Sequence, residues 1–298
     1  MLEFAAAYYA VMEPSRHRCA GLTLCVLLLL PAAAAAEGSQ SLAYEVWLGG
    51  LRALEADGRI VRQAETYRVT LKARTKGMVG WFYPYELELE AVGARQSAEH
   101  RPQQFSSKSR SSDETKTLAI RYAADGTLET RREPASANPD PKALPAEMVR
   151  ATLDPVSAML TVMAKASQGA AESASGGASQ DASRNEADGG CQGLTRVFDG
   201  KRRYNLWARP AGQTTLKASR YNVYSGPVTL CRLTVQPLAG FKKKKRLAGR
   251  IPREITLWLA PIGDGGMPLP VRLEGESSFG GLVVHLVGTE HEPQRAER

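Results

Sequence analysis

CQGLTRVFDGKRRYNLW (191–207) and YNVYSGPVTLC (221–231) frame the stretch whose reading decides the fold. Phe198-Asp199-Gly200-Lys201 carries an Asp-Gly pair, which supplies the two left-handed positions of a tight hairpin turn. Gly193 to Phe198 and Arg202 to Ala208 flank that turn. Thr215 to Tyr224 and Val228 to Gln236 flank a second one, Ser225-Gly226-Pro227. Two consecutive β-hairpins are predicted. Thr229, Cys231, Leu233 and Val235 recur at period two, which aims Cys231 at the apolar face. Cys191 and Cys231 are the only cysteines after residue 36, so one disulfide is expected to close the pair of hairpins in an exported chain.

Working outward, the same alternation repeats. Tyr44, Val46 and Leu48 alternate with polar or bulky neighbours before Gly49-Gly50. Tyr67, Val69, Leu71 and Ala73 oppose Arg68, Thr70, Lys72 and Arg74, and Tyr85, Leu87, Leu89 and Ala91 oppose three glutamates. These are half-buried antiparallel strands. GMVGWFYP (77–84) lies between the last two as an apolar, aromatic tip. It is expected to fold back as a plug over the core, the other readings being a membrane-touching or ligand-gating element. Ala98 to Ser112 reads as an exposed strand and loop, and Thr117 to Ala123 and Thr127 to Arg132 as a hairpin about Asp125-Gly126. Beyond the hairpins, Glu254 to Ala260, Leu269 to Glu276 and Leu282 to Thr289 complete the strands.

One segment changes period. In DPVSAMLTVMAKA (154–166), Val156, Met159, Leu160 and Met163 fall at i, i+3, i+4 and i+7, the apolar stripe of a helix. Asp154 suits the N-cap and Pro155 the first turn. The helix is predicted over 154–167 with Gly169 as its end. Residues 170–190 are small and polar and cannot bury enough surface to offset ordering, so a disordered insert is predicted there.

At the front, Arg16 and Arg18 precede an apolar run from Ala20 to Leu30, then Pro31 and a run of alanines to Ala36. That order is a secretory leader, and the run is short for a bilayer span. A signal peptide over 1–36 is therefore expected, with a single β-rich domain over 37–292, a frayed tail over 293–298, and a periplasmic location. Net charge is +8. Lys242, Lys243, Lys244, Lys245 and Arg246 form a basic run suited to an anionic envelope surface. It lacks the interleaved aromatics of a single-strand nucleic-acid groove, so no nucleic acid is expected.

Known reaction signatures are missing. His100, His285 and His291 show no metal-ligand spacing, and the chain has no G-x-S-x-G, phosphate loop or dinucleotide fingerprint in context. No metal, cofactor or catalytic residue is expected. His285 is expected to face solvent or a partner strand. Asp199 and Asp264 sit in glycine-flanked turns, where local backbone bonding explains them.

YEVWLGG (44–50), GMVGWFYP (77–84), DPVSAML (154–160), VFDGKRRY (197–204), YSGPVTLC (224–231) and ITLWLAP (255–261), in that order, resemble the bacterial domain-of-unknown-function family numbered 3108. The resemblance implies an exported, mostly antiparallel β-protein of a Gram-negative envelope, with no assigned reaction. It is looser at the level of fold to the open β-sheets that carry lipoproteins across the periplasm.

The expected fold is mainly β, one strongly curved antiparallel sheet of about ten strands with one helix on its concave face. The expected function is a non-catalytic binding or carrier module for an apolar lipid or lipoprotein-like ligand. The alternative is a structural or interaction protein of the envelope. In the carrier form, Met159, Leu160 and Met163 line a cleft under the helix, and Trp81, Phe82 and Tyr83 cover its mouth.

Overall fold

Alternating side chains build a sheet that runs through the whole fold. The computed structural model describes residues 38–96, 99–134, 144–175, 190–241, 252–263 and 267–293. The first seven strands are β1 (Gly38–Leu48), β2 (Leu51–Arg62), β3 (Thr66–Thr75), β4 (Tyr85–Gln96), β5 (Glu99–Ser111), β6 (Thr115–Tyr122) and β7 (Leu128–Glu133). The other six are β8 (Gly193–Phe198), β9 (Arg203–Leu216), β10 (Gly226–Ala239), β11 (Glu254–Ala260), β12 (Leu269–Ser277) and β13 (Gly280–Pro293). All thirteen form one antiparallel sheet in the order β7-β6-β5-β4-β3-β2-β1-β13-β12-β11-β10-β9-β8. Two meanders are thus joined at the centre by the β1–β13 pair, which runs from Gly38↔Pro293 to Leu48↔Leu282.

The predicted class holds, and the strand map is corrected in three places. β2 was not anticipated, because LRALEADGRIVR mixes charges into both faces. Its inward positions Ala53, Ala56 and Ile60 are nevertheless buried. The stretch 191–231 holds three strands, not four. β9 runs unbroken through Pro210 and Gly212 to Leu216, and the partner strand accommodates the proline with a register shift between Thr229 and Cys231. Residues 217–225 form a loop in place of the predicted strand. At the other end, Pro293 belongs to β13, so the first residue of the expected tail is paired.

Three helices interrupt the strands: α1 (Gly77–Phe82), α2 (Ala146–Val149) and α3 (Pro155–Ser175). α3 lies against both β5 and β8, on opposite halves of the sheet, so it occupies the inside of the curl. It also runs past Gly169, six residues into the predicted insert. Ala170, Ala171, Glu172 and Ala174 are good helix formers, and one internal glycine costs only about 1 kcal/mol. The rest of the insert, residues 176–189, lies outside the described residues, as do the leader over 1–36, the basic run Lys242–Arg246, and Asp264.

The sheet does not close into a barrel; its two edges are stitched through the connecting chain. Leu153 pairs in parallel with Val197 of β8 through Leu153 N–H to Arg196 O (2.8 Å) and Phe198 N–H to Leu153 O (2.9 Å). On the other side, Ala151 N–H donates to Gly126 O (2.9 Å) in the β6–β7 turn. A Cβ on Gly200, in the β8–β9 turn, would stand 2.5 Å from the Leu118 side chain of β6, so the two edges meet there. Covering the β8 edge this way removes a template for pairing with other chains.

Cys191 and Cys231 form the expected disulfide, with Cα atoms 6.1 Å apart and both residues fully buried. Cys191 precedes β8 and Cys231 lies on β10, so the bond ties two strands across the β9 between them.

Candidate functional site: the sheet interior around the central helix

The interior is built from the inward residues of both meanders. Tyr67, Val69, Ala91, Phe105 and Ile120 come from the first, and Val197, Leu233, Leu257, Leu269 and Leu286 from the second. The helix fills the space between them. Ser157, Ala158, Leu160, Thr161, Val162, Met163, Ala164 and Ala166 are all buried. A helix covered around its circumference is a core element, not an amphipathic lid on a sheet. The single apolar stripe predicted from Val156, Met159, Leu160 and Met163 is corrected accordingly. Leu160 and Met163 are in the core, while Val156 and Met159 are half-buried at its margin. Small residues at 157, 158, 164 and 166 let the helix lie close to the strands all round.

Its N-terminus carries a buried polar cluster. Asp154 is the N-cap: Oδ1 accepts the backbone N–H groups of Val156 and Ser157 (both 2.9 Å), and Oδ2 accepts the Ser157 hydroxyl (2.5 Å). The Ser157 proton is therefore committed, so at the 2.7 Å contact Tyr67 O–H donates to Ser157 Oγ. The Tyr67 ring meets His100 edge to face at 5.2 Å. A Cβ on Gly93 would stand 2.6 Å from the Tyr67 hydroxyl and 2.3 Å from Arg101 O, so only glycine admits the tyrosine there.

Burial raises the Asp154 carboxyl above its ordinary range, with the hydrogen bonds from Ser157 and Val156 opposing the shift. Burial likewise pushes the Tyr67 and Tyr122 phenols above theirs, and the Asp154 charge adds to both. Both Asp154 oxygens are engaged by donors, so the cluster caps a helix and ties it to β3.

Arg62 of β2 pairs across the sheet with Tyr67 and is 4 % exposed. Its Nε and Nη1 atoms have no hydrogen-bond partner among the described residues, and burial with the charge of Arg95 lowers its pKa.

The structure does not place the aromatic tip over the helix. Trp81, Phe82 and Tyr83 are 87 %, 75 % and 75 % exposed, and α1 packs on β2 and β3. The plug and the lid over Met159, Leu160 and Met163 are both corrected. With only six residues, two of them glycines, α1 turns the chain without bringing its rings back to the core.

His285 also departs from expectation. It is buried, with the Tyr221 ring stacked on it at 5.7 Å and 22°, while Trp47 meets Tyr221 edge to face at 5.4 Å. The 217–225 loop supplies Tyr221, and Val223 N–H donates to Leu286 O (3.0 Å). Asp199 behaves as read: it accepts from the backbone of Lys201 and Arg202 and pairs with the Arg202 side chain.

On the outer face, a shallow groove of about 540 Å³ crosses β3 to β7, lined by Thr70, Lys72, Glu88, Ser106, Lys108 and Arg131 among others. Some of its charges are paired across strands, as Lys72–Glu88 and Arg68–Glu90 show. Among the described residues, no cluster of three or more His, Cys, Asp or Glu side chains is placed to hold a metal ion. No described helix is long and apolar enough to cross a membrane.

Fold and interior together define a mainly β protein, a single curled antiparallel sheet wrapped on a central helix. The chain belongs to the family described as protein of unknown function DUF3108, whose model matches residues 43–287. No curated protein matches it. A solved structure of a β-barrel-like protein of the domain of unknown function DUF1849 from Brucella abortus is similar at 11 % identity and a TM-score of 0.48. That similarity covers 87 % of this chain and 100 % of that one.

Proposed function

We propose that this protein is an exported, non-catalytic interaction protein of the cell envelope, with its interior given to structure and not to a carried ligand. The observation that supports this is the central helix, whose residues from Ser157 to Ala166 are buried on nearly every side. The apolar residues expected to line a binding cleft, Leu160 and Met163, are spent on the core. The polar cluster at its N-terminus is spent on capping and on Tyr67. Support for export comes from the leader pattern over 1–36 and from the disulfide, which suits an oxidising compartment.

The test is uptake of an apolar fluorescent probe, N-phenylnaphthylamine, by the folded protein, with Met163→Trp as comparison. The proposal expects no saturable uptake, and destabilisation of the variant by about 1–3 kcal/mol from overpacking. Saturable one-to-one uptake that Met163→Trp abolishes without loss of stability would overturn it in favour of a carrier.

A further inference from the structure

Among the described residues, the most exposed large apolar side chains gather at one rim of the sheet. Met78, Trp81, Phe82 and Tyr83 on and after α1 are 64 %, 87 %, 75 % and 75 % exposed. Leu51, where the β1–β2 turn enters β2, and Phe279, on the β12–β13 turn, are each more than half exposed. These turns are distant in sequence and adjacent in space. Lys76 N–H donates to Ala53 O (3.0 Å), which joins the start of α1 to β2. Gly49 N–H donates to Gly281 O (2.9 Å), which joins the β1–β2 turn to the β12–β13 turn.

The tip is held, not loose. Tyr83 N–H donates to Val79 O (2.8 Å). Thr75 Oγ1 donates to Tyr83 O (3.0 Å) and accepts Tyr85 N–H (2.9 Å), closing the base of the tip. Three consecutive large side chains, Trp81 to Tyr83, with Met78 one turn before them, therefore project from a held backbone, where each leaves apolar surface in water. A contiguous exposed patch of this kind marks an interaction surface.

The chemistry around the tip selects the partner. Arg52, Arg74 and Lys76 converge on Glu55 at 3.8, 3.5 and 3.1 Å, and Glu45 is the second carboxylate, bound to Arg52 at 2.6 Å. Arg74 and Lys76 lead directly into the tip and Arg52 joins them at Glu55, so the tip stands on a base that carries three cations, on a chain of net charge +8. Trp and Tyr carry an apolar body and a polar end, the pattern that settles at lipid headgroup level. Basic side chains behind such rings complement anionic lipid. We infer that the rim formed by Met78, Trp81, Phe82 and Tyr83, with Leu51 and Phe279 beside it, docks on the surface of an anionic bilayer. The rings enter the headgroup layer and the Arg52–Arg74–Lys76 belt meets lipid phosphates. This stands whether or not the sheet interior ever takes a ligand.

The test is vesicle co-flotation of the chain beginning at Glu37, which holds all thirteen strands and the core. Vesicles of phosphatidylcholine with phosphatidylglycerol are compared with phosphatidylcholine alone. The expected result is flotation with the anionic vesicles, weaker flotation with the neutral ones, and loss of about tenfold or more in affinity for Trp81→Ser/Phe82→Ser/Tyr83→Ser. Because these side chains are exposed, the variant should melt with the parent. A parent that floats with neither vesicle would overturn the inference. So would a variant that binds as the parent does, or a parent that sediments as a dimer and a variant that sediments as a monomer, which would assign the rim to a second copy.

Discussion

Tyr67 on β3 donates its hydroxyl to Ser157 on the central helix at 2.7 Å, across 90 residues of sequence. Ser157 in turn donates its hydroxyl to the Asp154 carboxylate, so one strand, one helix and one cap are joined in a single buried chain. Removing Asp154 unpairs two backbone N–H groups and the serine together. Asp154→Ala should destabilise by about 2–4 kcal/mol, the loss of a cap plus buried donors left without acceptors. Tyr67→Phe should cost about 0.5–1.5 kcal/mol. Because the two share a network, the double variant should cost less than the sum, and urea midpoints of all three measure this. Simple additivity would show that the chain of bonds does not act as a unit.

The disulfide closes a separation of 40 residues and lies wholly in the core. Cys231→Ala should lower stability by about 2–5 kcal/mol, because the unfolded chain regains the freedom the bond removes. Thiol labelling of unfolded, unreduced protein should find neither cysteine reactive. Labelling at both would contradict an oxidised pair.

Arg62 buries a guanidinium whose Nε and Nη1 find no acceptor among the described residues, beside the like charge of Arg95. Replacing an uncompensated buried charge with an apolar chain of similar length removes a desolvation cost. Arg62→Met should therefore raise stability, by about 1–3 kcal/mol in thermal or urea unfolding. A clear loss would mean that the guanidinium has a partner, such as a bound anion.

Burial lowers the His285 pKa, and Arg272 adds to the shift against smaller opposing effects of Glu274 and Glu45. The folded state therefore holds the imidazole neutral more strongly than the unfolded chain does. The associated stability is present above the unfolded value of about 6.5 and is lost as pH falls through the lower folded value. Stability should fall as pH drops below about 6.5, and the drop should be smaller in His285→Gln. Equal pH slopes for the two proteins would remove His285 as the cause.

The sequence by itself determined the parts whose cause is local. Period-two alternation around Tyr67 to Ala73 set a strand, because successive side chains must point to opposite faces. Asp-Gly at 199–200 set a turn, because Gly200 takes the one left-handed position there and the Asp199 carboxylate accepts the following backbone N–H groups. Asp154-Pro155 marked a helix start, and two cysteines after residue 36 gave the disulfide. β2 was not legible, because its polar residues hide an inward row whose burial depends on the other strands. The sequence divides Arg202 to Ala208 from Thr215 to Tyr224, and only the bulge in β10 shows how β9 runs on through Pro210 and Gly212.

Tertiary structure alone decided the site. Periodicity gave α3 one apolar stripe, but a small residue such as Ala158 or Ala166 reads as neutral until strands close on it from both sides. Ser157 became a hydrogen-bond relay only when the curl brought Tyr67 to it. The tip at Trp81 was equally compatible with a plug or a projection. Its rings point to solvent because a six-residue helix anchored on β2 and β3 has no reach to the core. Long-range curling of the open sheet, through the β1–β13 pair and the stitches at Leu153 and Ala151, sets what is inside and what is outside. No local stretch encodes that curl, because its partners lie far apart along the chain.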